Sequence, residues 1–95
     1  MNNKTIQIAE HFGMSRQQSK AIEEYAEVIH VISRIQTEGV SVELREQLIE
    51  ELADAEVMKG QLMFFHEITD EDIEEVKREK IERTIRRYEI DGRES

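Results

Sequence analysis

Apolar residues recur along most of this chain at spacings of three and four, the period of a helix packed on one side, and four segments carry that pattern. Residues 3 to 12 read as a short helix closed by Gly13. Ser15 and Gln18 have the spacing of a capping box, in which each side chain satisfies an N–H at a helix start, so a second helix is predicted over about 15–38. Along it Ile22, Ala26, Ile29 and Ser33 form one stripe, flanked by Tyr25, Ile32 and Gln36. Val28, Val31 and Ile35 form another, well round the wheel, so this helix is expected to be covered on two sides. Gly39 marks a turn, and Ser41 caps a third helix over about 41–66, with Leu44, Leu48, Leu52, Ala55, Lys59, Leu62 and Phe65 or His66 along one face. Gly60 inside it costs about 1 kcal/mol of helix propensity relative to Ala, tolerable where a neighbouring helix or a ligand comes close. Thr69 followed by Asp70, Glu71 and Asp72 starts a fourth helix over about 70–89, continued by Ile73, Val76, Lys80, Ile81, Thr84, Ile85 and Tyr88. Residues 91–95 are expected to be a frayed tail.

Composition turns this pattern into a fold class. The chain has no Pro, no Trp and only 4 Gly, and it is 37% charged and 38% apolar, a balance that favours helices over strands. The expectation is all-α, with residues 1–95 forming a single domain: an antiparallel bundle of three long helices plus a short N-terminal helix. At 95 residues a domain of this kind often needs a second chain to finish its core, so oligomerisation is expected to complete it.

Charge narrows the partners. A formal net charge of −9 argues against a broad basic surface for nucleic acid, although a bound cation can invert the sign of an acidic pocket and admit a free nucleotide. Cysteine is absent, which removes disulfides and zinc knuckles. The opening residues have polar breaks too frequent for a signal peptide, and no apolar run is long enough for a membrane span. A cytoplasmic protein without nucleic-acid or membrane partners is expected.

The residues with the most chemistry are two acidic pairs, Glu24/Glu27 and Glu51/Asp54, whose midpoints average to position 39. Residues at i and i+3 share a helix face with Cβ atoms roughly 5–6 Å apart. A helical hairpin turning at Gly39 therefore brings the four carboxylates to one height across a groove. Such an oxygen-only set suits a hard divalent cation such as Mg²⁺, which keeps several waters and leaves room for phosphates, whereas zinc would normally ask for His or Cys. Acidic pairs of the same spacing also occur at Glu43/Glu46 and Glu71/Glu74. What separates the first two from these is their mirrored placement and the apolar residues that flank both.

Glu23-Glu24-Tyr25-Ala26-Glu27, then 23 intervening residues, then Glu51-Leu52-Ala53-Asp54, resembles the E-E-x-x-E and E-x-x-D pattern of the MazG-like, all-α nucleoside triphosphate pyrophosphohydrolases. The stretches AIEEYAEVIHVISR and LIEELADAEVMKGQL are similar in texture, and the likeness covers roughly residues 17 to 66. The resemblance implies a homodimer or dimer of dimers that cleaves an NTP or dNTP to the monophosphate and pyrophosphate with Mg²⁺, or Mn²⁺ in its place, in nucleotide-pool housekeeping. It also implies that Glu24, Glu27, Glu51 and Asp54 are the metal ligands, and that Glu23 is a catalytic base or a ligand to a second ion. Lys77, Lys80 and Arg83 are candidates for the substrate phosphates by location alone.

Other features have plainer explanations. The fourth helix runs from acidic, Asp70 to Glu75, to basic, Lys77 to Arg87, which complements the helix dipole. His11, His30 and His66 have no spaced partner, and Met58, Met63, Phe64 and Phe65 suit a core or an interface. The alternatives to an enzyme are a non-catalytic acidic helical adaptor, whose apolar stripes bind another protein, and a nucleotide-binding regulator that binds metal without turnover.

Overall fold

The computed structural model describes residues 3–90, and the tail predicted at 91–95 lies outside them. The protein is all-α: α1 spans Asn3–Phe12, α2 Met14–Glu38, α3 Val42–Phe65 and α4 Asp70–Arg87.

Local chemistry accounts for each boundary. The Ser41 hydroxyl accepts from the Leu44 N–H at 3.1 Å and opens α3. Thr69 and Asp72 form a complete capping box at the start of α4, each side chain accepting from the other's backbone N–H, at 3.1 and 2.9 Å. The predicted Ser15/Gln18 box does not form. α2 begins one residue earlier, with Gly13 as its N-cap and no side-chain cap, so Ser15 already lies inside the first turn. The Gln18 carbonyl instead accepts from His66 Nε2 at the far end of α3. Gly13 and Gly39, at φ 85°, ψ 162° and φ 88°, ψ 164°, occupy a region of backbone space essentially restricted to glycine. Each N–H still closes the preceding helix, on Ala9 O and Ile35 O, at 2.8 Å in both cases. α3 ends without glycine: Glu67 takes φ 53°, and the Ile68 N–H reaches back to Met63 O at 2.9 Å, a Schellman-type closure.

α2 and α3 pack as an antiparallel hairpin, and α1 lies across both. On α2 the least exposed residues include Gln17, Ala21, Glu24, Val28, Val31, Arg34 and Ile35, and on α3 they include Leu44, Leu48, Glu51, Ala55, Met58 and Leu62. Alternating steps of four and three along both rows make a coiled-coil-like seam, with an acid in each row. The stripe predicted through Ile22, Ala26 and Ile29 faces outward, leaving Ile22 73% and Ile29 65% exposed. Leu52 and Lys59, expected on the inner face of α3, are also exposed, because the seam advances to Glu51 and Met58 instead. Gly60 admits α1: a Cβ there would stand 3.3 Å from Thr5 Cγ2.

α4 packs on none of the other helices to any extent and buries no residue. One chain alone thus contributes two long paired helices and a crossing short one, while the third long helix of the expected bundle stands apart. The radius of gyration, 16.5 Å, exceeds the ~12 Å of a compact chain this long.

Because an L-residue is strained at the Gly39 backbone angles, Gly39→Ala is expected to destabilise the hairpin by about 1–3 kcal/mol, as read by urea denaturation with an unchanged m-value.

Candidate functional site

Midway along the hairpin the seam changes character. Glu24 of α2 and Glu51 of α3 hold positions that apolar residues hold above and below them, and Asp54 sits one turn beyond Glu51. One carboxylate oxygen from each of Glu24, Glu51 and Asp54 lies within 4.8 Å of the other two. Glu23 and Glu27 line the same cleft, of roughly 440 Å³, but stand outside this trio. The structure therefore gathers three of the four residues proposed as metal ligands and places the fourth, with Glu23, at the rim.

Electrostatics follows from the packing. The Glu24 side chain is only 14% exposed and has one cation at hand, Lys20, whose Nζ is 3.5 Å from Oε1. Glu51 has a raised pKa: partial burial is the largest cause, followed by the negative charges of Glu24, Glu27, Asp54 and Glu50. Among the described residues no cation pairs with Glu51, and carboxylates this close disfavour one another's ionised form. The donor set fits a hard cation, being all oxygen, anionic and convergent from two rigid helices.

A second hollow, of roughly 420 Å³, opens beside the carboxylates and shares Glu24 and Asp54 with them. Its apolar wall is Ile8 and Phe12 of α1 with Val57 and Met58 of α3; its polar groups are Arg16, Gln17 and Lys20 of α2 and Gln61 of α3. The Arg16 guanidinium stacks over the Phe12 ring, 4.6 Å from its centroid. Gln17 and Gln61 are 5% and 1% exposed, and Gln17 Nε2 donates to Gln61 Oε1 at 2.7 Å. Gln61 Nε2, equally buried, has no hydrogen-bond partner, an omission that costs a folded protein roughly 1–3 kcal/mol.

None of these pocket residues was singled out from the sequence for ligand binding except the shared acids. Gln17 and Gln61 did carry one signal, since they too stand equally far from Gly39. The proposed phosphate residues lie elsewhere: Lys77 and Lys80 border an apolar groove on α4 with Ile73, Val76 and Ile81, and Lys77 pairs with Glu74 at 3.7 Å. Arg83 is exposed on the same helix. Within one chain these three do not line the carboxylate cleft; the cations beside it are Arg16 and Lys20. His66 meets Gln18, and His11 stacks edge-on against Phe12, 4.6 Å between centroids. Met58 and Met63 are core residues, as expected, while Phe64 and Phe65 are half-buried.

Among the described residues no helix is long and apolar enough to cross a membrane. Comparisons with protein-family models, with curated proteins and with solved structures return no match to this chain.

A carboxyl with a raised folded-state pKa favours folding while protonated and opposes it once ionised. Without divalent metal, stability is therefore expected to fall as pH rises through the folded-state pKa of Glu51. Glu51→Gln should remove that fall and raise Tm at pH 7 by about 1–4 °C, measured by thermal melts in EDTA across pH 4 to 8.

Proposed function

We propose that this chain is a Mg²⁺-dependent nucleoside triphosphate pyrophosphohydrolase, cleaving an NTP or dNTP to the monophosphate and pyrophosphate. The observation that carries this reading is the convergence of Glu24, Glu51 and Asp54 from facing helices beside a hollow of ligand size that two cations border. The agreement of these positions with the acidic pattern of the MazG-like enzymes adds to it. Glu24, Glu51 and Asp54 would hold the cation, with Glu27 of the same cleft as the fourth carboxylate. Bound there, Mg²⁺ or Mn²⁺ supplies charge neutralisation on the phosphates and a lowered pKa for bound water.

The protein's own part is geometry and a proton. Glu23 lines the cleft outside the carboxylate trio and takes the proton of the attacking water. The water oxygen bonds to the α-phosphorus, and the bond from that phosphorus to its bridging oxygen breaks, releasing pyrophosphate. Arg16 and Lys20 stand where cations could steady the phosphates before and after cleavage.

In this reading a second copy completes the fold. α2 leaves Ile22, Ile29 and Ile32 exposed on one face, α4 leaves Val76 and Ile81 exposed, and neither face has a cover among the described residues. Docking these faces across a homodimer, or a dimer of dimers, would build the missing third long helix and bring the Lys77, Lys80 and Arg83 face to a partner. The same faces are what a protein-binding adaptor would use. That reading predicts carboxylates indifferent to metal.

Two outcomes are expected. Pyrophosphate should be released from at least one member of a panel of NTPs and dNTPs with Mg²⁺ or Mn²⁺, and Glu24→Gln and Asp54→Asn should each lower the rate by about 100-fold or more, with Tm rising in millimolar metal only for the wild type. Light scattering behind a sizing column should give a multiple of 11.2 kDa, reduced by Ile29→Glu; a wild-type monomer would sink the two-copy arrangement.

A further inference from the structure

The Gln17–Gln61 pair is the most deeply buried polar feature of the chain, and the carboxylate chemistry makes no use of it. Both amides lie at the wall where α1, α2 and α3 meet, in the hollow that continues from the metal cleft. A core position there would ordinarily be apolar, since a buried amide must find partners for its donors and its acceptor. Here the pair satisfies one bond and leaves the Gln61 Nε2 donors unspent. Turning both amides over would preserve the bond between them and leave a Gln61 oxygen unmatched instead. Either way, one polar end of Gln61 has no protein partner. The terminal torsion of a Gln side chain is soft, so a ligand entering the hollow can draw that end toward itself.

The rest of the wall defines what enters. Phe12, Val57 and Met58 are apolar, the Arg16 guanidinium carbon stands 4.6 Å from the centroid of the Phe12 ring, and the hollow extends to Glu24 and Asp54. A flat, largely apolar ring with hydrogen-bonding atoms on one edge matches that lining, tethered to phosphates that reach the acids.

We infer that this hollow is the base-binding subsite, and that Gln61, held by Gln17, selects the nucleotide by bonding to a carbonyl oxygen or ring nitrogen on the edge of its base. This rests on the nucleotide reading given above. Gln61 is a specificity residue here, distinct from the metal-holding acids, and Gln17 is a positioning residue that acts through it.

The test is made without metal, so that it does not depend on catalysis. Side-chain amide signals of Gln61 and Gln17 are followed by ¹⁵N-correlated NMR in EDTA during titration with the four common nucleoside monophosphates and with ribose 5-phosphate. Expected is a saturable shift of the Gln61 amide with one or two bases and none with the base-free sugar phosphate. Gln61→Met, shown folded by circular dichroism, should weaken the preferred base about tenfold and level the ranking. Gln17→Met should weaken it less. No Gln61 shift with any base at millimolar concentration, or an equal shift with ribose 5-phosphate, would overturn the inference and leave the pair a structural element of the core. Metal-dependent pyrophosphate release, assayed separately, then says whether the enzymatic reading fails as well: release with an unchanged base ranking in Gln61→Met removes the subsite alone, and absence of release from every triphosphate tried removes the enzymatic reading.

Discussion

Two long helices can pair only in the register that their connection permits, and here the connection is the three residues between Glu38 and Val42. Gly39 turns the chain through a conformation closed to other residues, and Ser41 caps the returning helix two positions later. With so short a loop, residues equally far from Gly39 arrive at one height, and those turned to the inner faces meet. Glu24 meets Asp54 and Glu51, and Gln17 meets Gln61. The acidic trio and the buried amide pair are thus two readouts of one constraint. The 2.7 Å bond between the glutamines is independent witness that the helices are not slipped by a turn.

That constraint was legible in the sequence, because a turn glycine and mirrored acids can be found by counting. The inner face was legible in part: Val28, Val31 and Ile35 on α2 and Leu44, Leu48, Ala55 and Leu62 on α3, each placed on a stripe by its spacing, do line the seam. The other stripe read on α2, Ile22, Ala26 and Ile29, and Leu52 and Lys59 on α3, lie outside, because the seam continues through Gln17, Ala21 and Glu24 and through Glu51 and Met58. Periodicity locates a buried face only where that face is the more apolar one. On α2 polar and small residues share the inside with Val28, Val31 and Ile35, while Ile22, Ile29 and Ile32 lie outside. α4 shows the opposite case: its capping box and its sorted charges specify a helix correctly, while nothing local says against what it packs. Of the four mirrored acids, Glu24, Glu51 and Asp54 converge, and Glu27 stands apart in the cleft lining because the seam turns Glu24 inward and leaves its neighbour one turn on outside. The hollow beside the acids went unseen because its walls come from three helices, and α1 reaches it only by crossing at Gly60.

Placing acids and amides in a helix seam limits what holds the hairpin together. Burying a large aliphatic side chain contributes about 1.5–3 kcal/mol, and four seam positions forgo it. The buried apolar set is Ala9, Ala21, Val31, Leu44, Ala55, Met58 and Met63, of which three are alanines. Much of the chain's aliphatic surface lies instead on the outer face of α2 and on α4. In the proposed assembly, a second copy would convert that surface into core and make folding and association one process. The mutual repulsion of the acids works in the same direction, since a cation that relieves it stabilises only the folded hairpin.

α1 joins α2 through a single residue, Gly13, with no loop between them. It contributes no acid to the trio, yet it forms one wall of the hollow through Ile8 and Phe12. The carboxylates are fixed by the hairpin register, whereas the shape of the neighbouring space is fixed by the angle of a ten-residue helix on a one-residue joint. Substitutions along α1 can therefore reshape the hollow without disturbing the hairpin that holds the carboxylates. Under the proposed function, the choice of ligand would then be set by the aim of one short helix.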